Sequence, residues 1–325
     1  MTKKTLLIGD IGGTNARFAL ANPAYTSFEK VLNLKCADFS SADDAIHYYL
    51  DKFSMSKPDI ICLAGAGPII SNRIQVTNNH WNLNIESLKK DFNAKKVKLL
   101  NDFEAAAYSI PHLREDDLQP LGLLNSTNLD NDHFNVAIIG AGTGFGTSGL
   151  ACLENTLIPI VGEGGHIGFA PTSHIQTEIL NVLKNKYERV IVERLVSGPG
   201  IENIYSSLSL IYENKKKELS AKEIFHKAQD KSDRYAIESV DIFFEILGQL
   251  AGDIALCMGA RNGVYLAGGI AKRYPELLMK SKFRIAFESK GRQRSYMERI
   301  PTILVTHENP GLLGTAYCAF KLSSD

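Results

Sequence analysis

The chain has 325 residues, 44% hydrophobic and 22% charged, an ordinary globular balance with room for about two domains. Basic and acidic residues number 36 each, which excludes a general attraction to nucleic acid or to an anionic membrane. Five widely spaced cysteines, none in a C-x-x-C pair, argue against a disulfide framework and a cysteine-rich zinc site. No apolar run reaches the ~18 residues of a membrane span, and the first one stops at Asp10, too short for a signal-peptide core, so a cytoplasmic protein is expected. The basic clusters at 214–218 and 290–294 read as solvated surface.

In chain order, "KKTLLIGD" predicts a buried strand and "NARFALAN" a second, with only a tight turn between them. A hairpin there excludes a dinucleotide fold, whose G-x-G-x-x-G must open a helix. "PDIICLAGAGPI" (58–69) predicts a strand and a Gly/Pro loop, and "AKKVKLLND" (94–102) a strand leading into the helix "FEAAAYSI". The segment 114–132 reads as a domain junction. "FNVAIIGAGTGFGTSGLACLEN" (134–155) repeats the strand–glycine turn–strand design about 130 residues after the first, which suggests two similar halves rather than an array of short repeats.

Further on, 160–171 predicts a glycine-rich loop, 173–187 a helix, and 187–197 a second helix that stops at Gly198-Pro199-Gly200. Apolar residues at 243, 247, 250, 254 and 258 predict a buried helix over 241–259. "NGVYLAGGIAKRY" (262–274) reads as strand, Gly-Gly, helix, and Asn309-Pro310 as the start of a last helix. Alternating strands and helices make this an α/β protein.

Each glycine hairpin bares main-chain N–H groups that suit anionic oxygens, and Thr14 and Thr143 add hydroxyl donors. Gly9, Asp10, Ile11, Gly12, Gly13 and Thr14, with Gly142, Thr143 and Gly144, are therefore candidate phosphate contacts; Gly268 and Gly269 could seat a nucleotide at a helix start. Asp10 suits the hydrated Mg²⁺ that accompanies a phosphate. Taken alone, Asp102 reads as a helix N-cap, Asn101 as a turn residue, His166 as a structural histidine and Glu193 as a surface partner of Arg189 on a helix.

The blocks "GDIGGTNARFAL", "LLNDFEAAAYSI", "GAGTGFG", "GEGGHIGFAP", "ERLVSGPG", "LAGGI" and "ENPGLLGTAY" closely resemble the bacterial glucokinases, in order from residue 7 to 317. The resemblance implies a two-lobed actin-like, ribonuclease H-like ATPase fold with a duplicated glycine-hairpin unit. It places 1–112 with 303–325 in a small lobe and 113–302 in a large one. It also implies ATP- and Mg²⁺-dependent phosphorylation of glucose at its 6-hydroxyl, with Asp102 as general base and Asn101, Asp102, Glu163, His166 and Glu193 on the sugar. Closure of the lobes over the sugar, and a homodimer, follow from the same resemblance. Relatives that bind zinc do so with cysteines near the equivalent of His166; none follows here for about ninety residues, so no zinc is expected. Gly168 stands where some glucokinases carry an acid. Asn78 and Asn79 are further candidates for hydroxyl contacts. The alternatives are a kinase for another hexose, such as glucosamine or mannose, a non-catalytic sugar- and nucleotide-responsive regulator, and an ATPase that needs no sugar. The regulator is disfavoured because the first hairpin begins at once, ahead of any DNA-binding segment.

Overall fold

The computed structural model describes residues 4–24, 26–122, 129 and 132–324, so part of the expected junction at 114–132 (123–128, 130 and 131) lies outside the described residues. The chain divides into two compact units, Met1–Glu115 with Pro159–Val161 and His307–Asp325, and Asp116–Ile158 with Gly162–Thr306. Among the described residues no helix is long and apolar enough to cross a membrane.

The first unit is built on strands β1 (Leu6–Ile11), β2 (Asn15–Ala21), β3 (Phe28–Lys35) and β4 (Ile60–Gly65), a short ribbon of β5 (Arg73–Gln75) and β6 (Asn82–Asn84), and β7 (Lys96–Asn101). The main sheet runs β3-β2-β1-β4-β7, antiparallel on the hairpin side and parallel from β1 to β7. β1 and β4 are almost continuously apolar because helices cover both faces of the sheet. Helices α1 (Ala42–Lys52) and α2 (Ile85–Phe92) pack Tyr49, Leu50, Leu88 and Phe92 onto Leu7, Ile11, Ile61 and Leu63. Helix α3 (Asp102–Ser109) and the C-terminal helix Pro310–Ser324 pack together and against β4, the C-terminal helix also against β1.

The second sheet consists of β8 (Leu118–Pro120), β9 (His133–Ala141), β10 (Phe145–Leu153), β11 (Thr156–Gly162), β12 (Val264–Leu266) and β13 (Thr302–Val305), in the order β11-β10-β9-β12-β13-β8, and belongs to the second unit except for Pro159–Val161 of β11. Its first five strands repeat the first unit's plan: three antiparallel strands around a glycine turn, then two parallel ones. Helices α4 (His174–Lys184), α5 (Gly198–Glu213), α6 (Ala221–Gln229) and α7 (Arg234–Met258) form its core with β9 and β12. The expected core helix is α7, closed by Gly259 at φ 63°. A short helix α8 (Gly269–Arg273) follows β12.

Two sequence expectations need correction. Residues 160–162 belong to β11 rather than to a loop. The expected helix at 187–197 is irregular chain with one 3-10 turn, Val192–Arg194. The β-branched run Val190-Ile191-Val192 pairs with the 167–169 segment instead: Phe169 N–H donates to Val190 O at 3.0 Å and Val192 N–H to Ile167 O at 2.9 Å. Ser-Gly-Pro-Gly then starts a helix instead of ending one. Ser197 Oγ accepts the Gly200 N–H at 3.0 Å, and Pro199 sits in the first turn of α5, where its missing N–H costs nothing.

Asn101 caps α3. Its Oδ1 accepts the N–H groups of Phe103 and Glu104 at 2.9 and 3.3 Å, and Glu104 Oε2 accepts the Asn101 N–H at 3.2 Å, a closed capping box. Burial raises the Glu104 carboxyl above its ordinary value, against the Asn101 N–H bond and the Lys98 charge. The native state therefore holds this proton more tightly, and the associated stability is complete below about pH 4.5 and lost as pH rises through the native value. Glu104→Gln keeps an acceptor for the Asn101 N–H but removes that loss, so its Tm relative to the parent rises as pH is raised above about 4.5; a difference independent of pH in thermal scans refutes this. Gly314 of the C-terminal helix lies so close to Ala105 O that a Cβ there would overlap it. Gly314→Ala is expected to cost about 1–3 kcal/mol in denaturant unfolding, the range for overpacked contacts.

Candidate functional site

In the first unit, Ile11, Gly65 and Asn101 are register partners across β1, β4 and β7. The three parallel strands thus end level, and the β1–β2 turn and the start of α3 emerge at the same end of one sheet. At ~4.8 Å per strand, two strand spacings separate them by about 10 Å. Ligands in open α/β sheets bind at this carboxyl end.

The β1–β2 turn is closed by Gly12 N–H donating to Asn15 O at 2.9 Å. Asn79, from the β5–β6 connection, braces it: Nδ2 donates to Gly12 O at 3.1 Å while Oδ1 accepts the N–H of buried Trp81 at 3.1 Å. Cys36 N–H donates to Thr14 O at 2.9 Å, and Cys36 Sγ lies 3.7 Å from Gly12 O. Gly12 and Gly13 are half-buried and Thr14 is exposed at the tip. Gly9 and Ile11 are buried ladder residues, so their part is to hold Asp10 between them rather than to line the turn.

Asp10 points to the face of the sheet that carries the C-terminal helix. A Cβ on Gly311 would fall 2.8 Å from the Asp10 carboxyl carbon, so glycine lets the start of that helix approach the acid. Arg17 Nη1 lies 3.8 Å from Asp10 Oδ2, and the side chain is 21% exposed. Enclosure raises the Asp10 carboxyl above its ordinary value, with the Arg17 charge pulling it down. A partly exposed lone carboxylate fits Mg²⁺, which keeps several waters and takes its other ligands from substrate phosphates. Among the described residues no group of three or more His, Cys, Asp and Glu side chains converges to hold a metal ion by itself.

At the other corner the cap is Asn101, not Asp102. The Asn101 Oδ1 serves α3 and one Nδ2 hydrogen goes to Gly67 O at 3.1 Å; among the described residues the second Nδ2 hydrogen has no bond of its own. Asp102 is the half-buried first residue of α3, its Oδ1 accepting the Phe103 N–H at 3.0 Å at the positive end of the helix.

In the second unit, β9 and β10 turn at Gly142-Thr143-Gly144, closed by Gly142 N–H donating to Gly144 O at 2.8 Å, with Thr143 exposed at the tip. β12 runs parallel to β9, Leu266 opposite Ile139, and the Ala267 N–H donates to Ile139 O at 2.8 Å. Gly268 and Gly269 therefore follow a strand end adjacent to this hairpin, and Gly268 is the cap of α8. The loop after β11 makes one 3-10 turn, Gly164–His166, with the Glu163 and His166 side chains exposed and Gly164 N–H donating to Thr147 Oγ1 at 3.1 Å. Glu193 is not the surface ion-pair partner of Arg189 that a helix would make it. It is half-buried on the 3-10 turn, and its Oε2 accepts the Phe145 N–H at 2.8 Å. Asn79, a candidate for hydroxyl contacts from the sequence, holds the β1–β2 turn from 67 residues away, a contact that local sequence pattern does not signal.

The glucokinase family model matches residues 7–322. The glucokinase of Caulobacter sp. (strain K31) is 41% identical over 312 residues, 95% of this chain and 93% of that one. The crystal structure of a glucokinase from an Antarctic psychrotroph matches with a TM-score of 0.87 at 32% identity, over 98% of this chain and 99% of that one. The glucokinase of Balamuthia mandrillaris, crystallised in complex with glucose, matches with a TM-score of 0.78 at 25% identity, over 97% and 93% of the two chains. The α/β class and the actin-like ATPase fold expected from the sequence are those of this chain.

The brace on the first hairpin is testable. Asn79→Ala should weaken binding of the ATP analogue MgAMPPNP about tenfold by calorimetry, the scale of one or two lost hydrogen bonds. Asn79→Asp keeps the bond to Trp81 N–H but has no hydrogen for Gly12 O, and should show a similar loss; wild-type affinity in both variants removes Asn79 from this role.

Proposed function

The chain belongs to the glucokinase family, and we propose that it transfers the γ-phosphoryl group of ATP to the 6-hydroxyl of glucose with Asp102 as general base. Phosphoryl transfer asks the protein mainly for position and charge. The two glycine hairpins offer main-chain N–H groups to the phosphates, and Thr14 and Thr143 add hydroxyls. Mg²⁺, when bound with the nucleotide, neutralises the phosphate charge; Asp10 would hold it through water. Asn101 donates through its remaining amide hydrogen, and Glu163, His166 and Glu193 grip sugar hydroxyls by charge-assisted hydrogen bonds.

Asp102 accepts the hydroxyl proton as the oxygen forms its bond to the γ-phosphorus and the bond to the ADP oxygen breaks. The observation that supports this reading is the level end of β1, β4 and β7, which puts Asp102, at the head of α3 beside its cap Asn101, at the same end of one sheet as the β1–β2 glycine turn. Magnesium, a homodimeric assembly and a cytoplasmic setting belong to the same reading and rest on the family resemblance, with the balanced charge in accord.

Coupled ADP release tests it. Asp102→Ala should lose about 10²–10⁴-fold in kcat, the usual worth of a positioned base, with the KM for glucose changed by a few-fold at most. Near-native turnover would remove Asp102 from the role. A panel of glucose, mannose and glucosamine at fixed MgATP ranks the acceptors, and ATP consumption without any sugar would exclude a sugar kinase.

A further inference from the structure

We infer that Glu193 is a positioning residue as well as a sugar contact: its carboxylate holds the second glycine hairpin in its nucleotide-binding shape and couples that shape to the presence of sugar. The inference rests on the sugar-kinase reading above for the second half of that statement. The first half stands on hydrogen bonds within the second unit.

The hairpin is gripped at both ends by one segment. Phe145, the first residue of β10, donates its N–H to Glu193 Oε2 at 2.8 Å, and Gly142, at the other end of the turn, offers its O to the Gly198 N–H at 2.8 Å. A Cβ on Gly144 would lie 2.6 Å from Glu193 Oε2, so the turn and the carboxylate are in direct contact. The segment is itself stiff: Ser197 Oγ donates to Glu193 O at 2.7 Å and also caps α5. On its other side it is tied to the sugar loop, through Val192 N–H donating to Ile167 O at 2.9 Å and the bridge between Gly168 and Ile191. Residues 191–198 therefore form a rigid strap from the Glu163–His166 loop to the Gly142–Gly144 turn.

A carboxylate accepts about four hydrogen bonds, so a sugar hydroxyl can bind Glu193 while Oε2 keeps the Phe145 N–H. The hydroxyl then fixes the carboxylate, and the carboxylate fixes the turn. Sugar and nucleotide must strengthen each other's binding by the same factor, because binding linkage is reciprocal.

The experiment measures MgAMPPNP affinity by calorimetry with and without saturating glucose, and amide exchange at Phe145, in the full chain. Glu193→Ala should weaken MgAMPPNP about tenfold even without glucose, the scale of a charge-assisted hydrogen bond. It should also speed exchange at Phe145 and abolish the tightening by glucose. Glu193→Asp, one methylene too short for the Phe145 N–H, should do the same and serves if the alanine variant does not fold. Glu193→Gln retains an acceptor oxygen and should keep sugar-free MgAMPPNP affinity within about twofold while glucose binding weakens. Wild-type sugar-free affinity and unchanged Phe145 exchange in the alanine or aspartate variant would overturn the inference and leave Glu193 a sugar contact only. A parent protein that binds MgAMPPNP but releases no ADP with glucose fails the sugar-kinase reading instead, and the sugar-free comparison still decides the strap.

Discussion

A strand that reverses over glycines leaves main-chain N–H groups without side-chain cover, and a turn so bare has little to hold its own shape. In both units a side chain from outside adds to the main-chain bonds that restrain it. At the first turn the Asn79 amide donates to Gly12 O, and at the second the Glu193 carboxylate accepts from Phe145 N–H. The two braces use opposite chemistry on equivalent hairpins, a donor to a carbonyl in one case and an acceptor for an amide in the other. Neither covers the turn tip, where Thr14 and Thr143 remain exposed. Rigid main-chain donors that require no reorganisation are what a transferring phosphoryl group needs.

The sheets explain why the candidate residues gather where they do. Each is a glycine hairpin extended by parallel strands, and parallel strands bring their carboxyl ends level. In the first unit this places the hairpin turn and the head of α3 on one edge. In the second it sets the Gly142–Gly144 turn beside Gly268. The same plan used twice supplies two glycine turns, while the helices that follow the strands differ and carry different side chains. Asp102 owes its place to this layout. It heads a helix whose cap is already made by its neighbour Asn101, and the capping box with Glu104 locks the backbone on which it stands.

The loop after β11 shows a different use of glycine. Residues 163–168 form no regular structure beyond one 3-10 turn, and the Glu163 and His166 side chains are exposed there. Their positions are set from below, by Gly164 N–H on Thr147 and by the pairing of 167–169 with 190–192. The segment that pairs with this loop runs on to Glu193 and to the cap of α5. Loop, carboxylate and hairpin are thus held by one short stretch of chain.

The strands β1, β2, β4, β7, β9 and β10, the helix α7 and both glycine turns were legible in the sequence because each is governed by its own residues: short apolar runs, turn glycines, or apolar positions at helical spacing. The candidate site was legible as a set of residue types, more through family resemblance than through spacing. What local pattern could not supply was contact at a distance. The bond from Glu193 to Phe145 spans 48 residues and that from Asn79 to Gly12 spans 67. The run 187–197 has helical character by itself, and only its pairing with 167–169 makes it extended chain, which moves Glu193 from a helix surface to the hairpin. Sequence determined where the chain turns and which side chains stand near the turns. Tertiary structure decided which of them hold the turns in place, because a main-chain donor or acceptor finds its partner through packing and not through proximity along the chain.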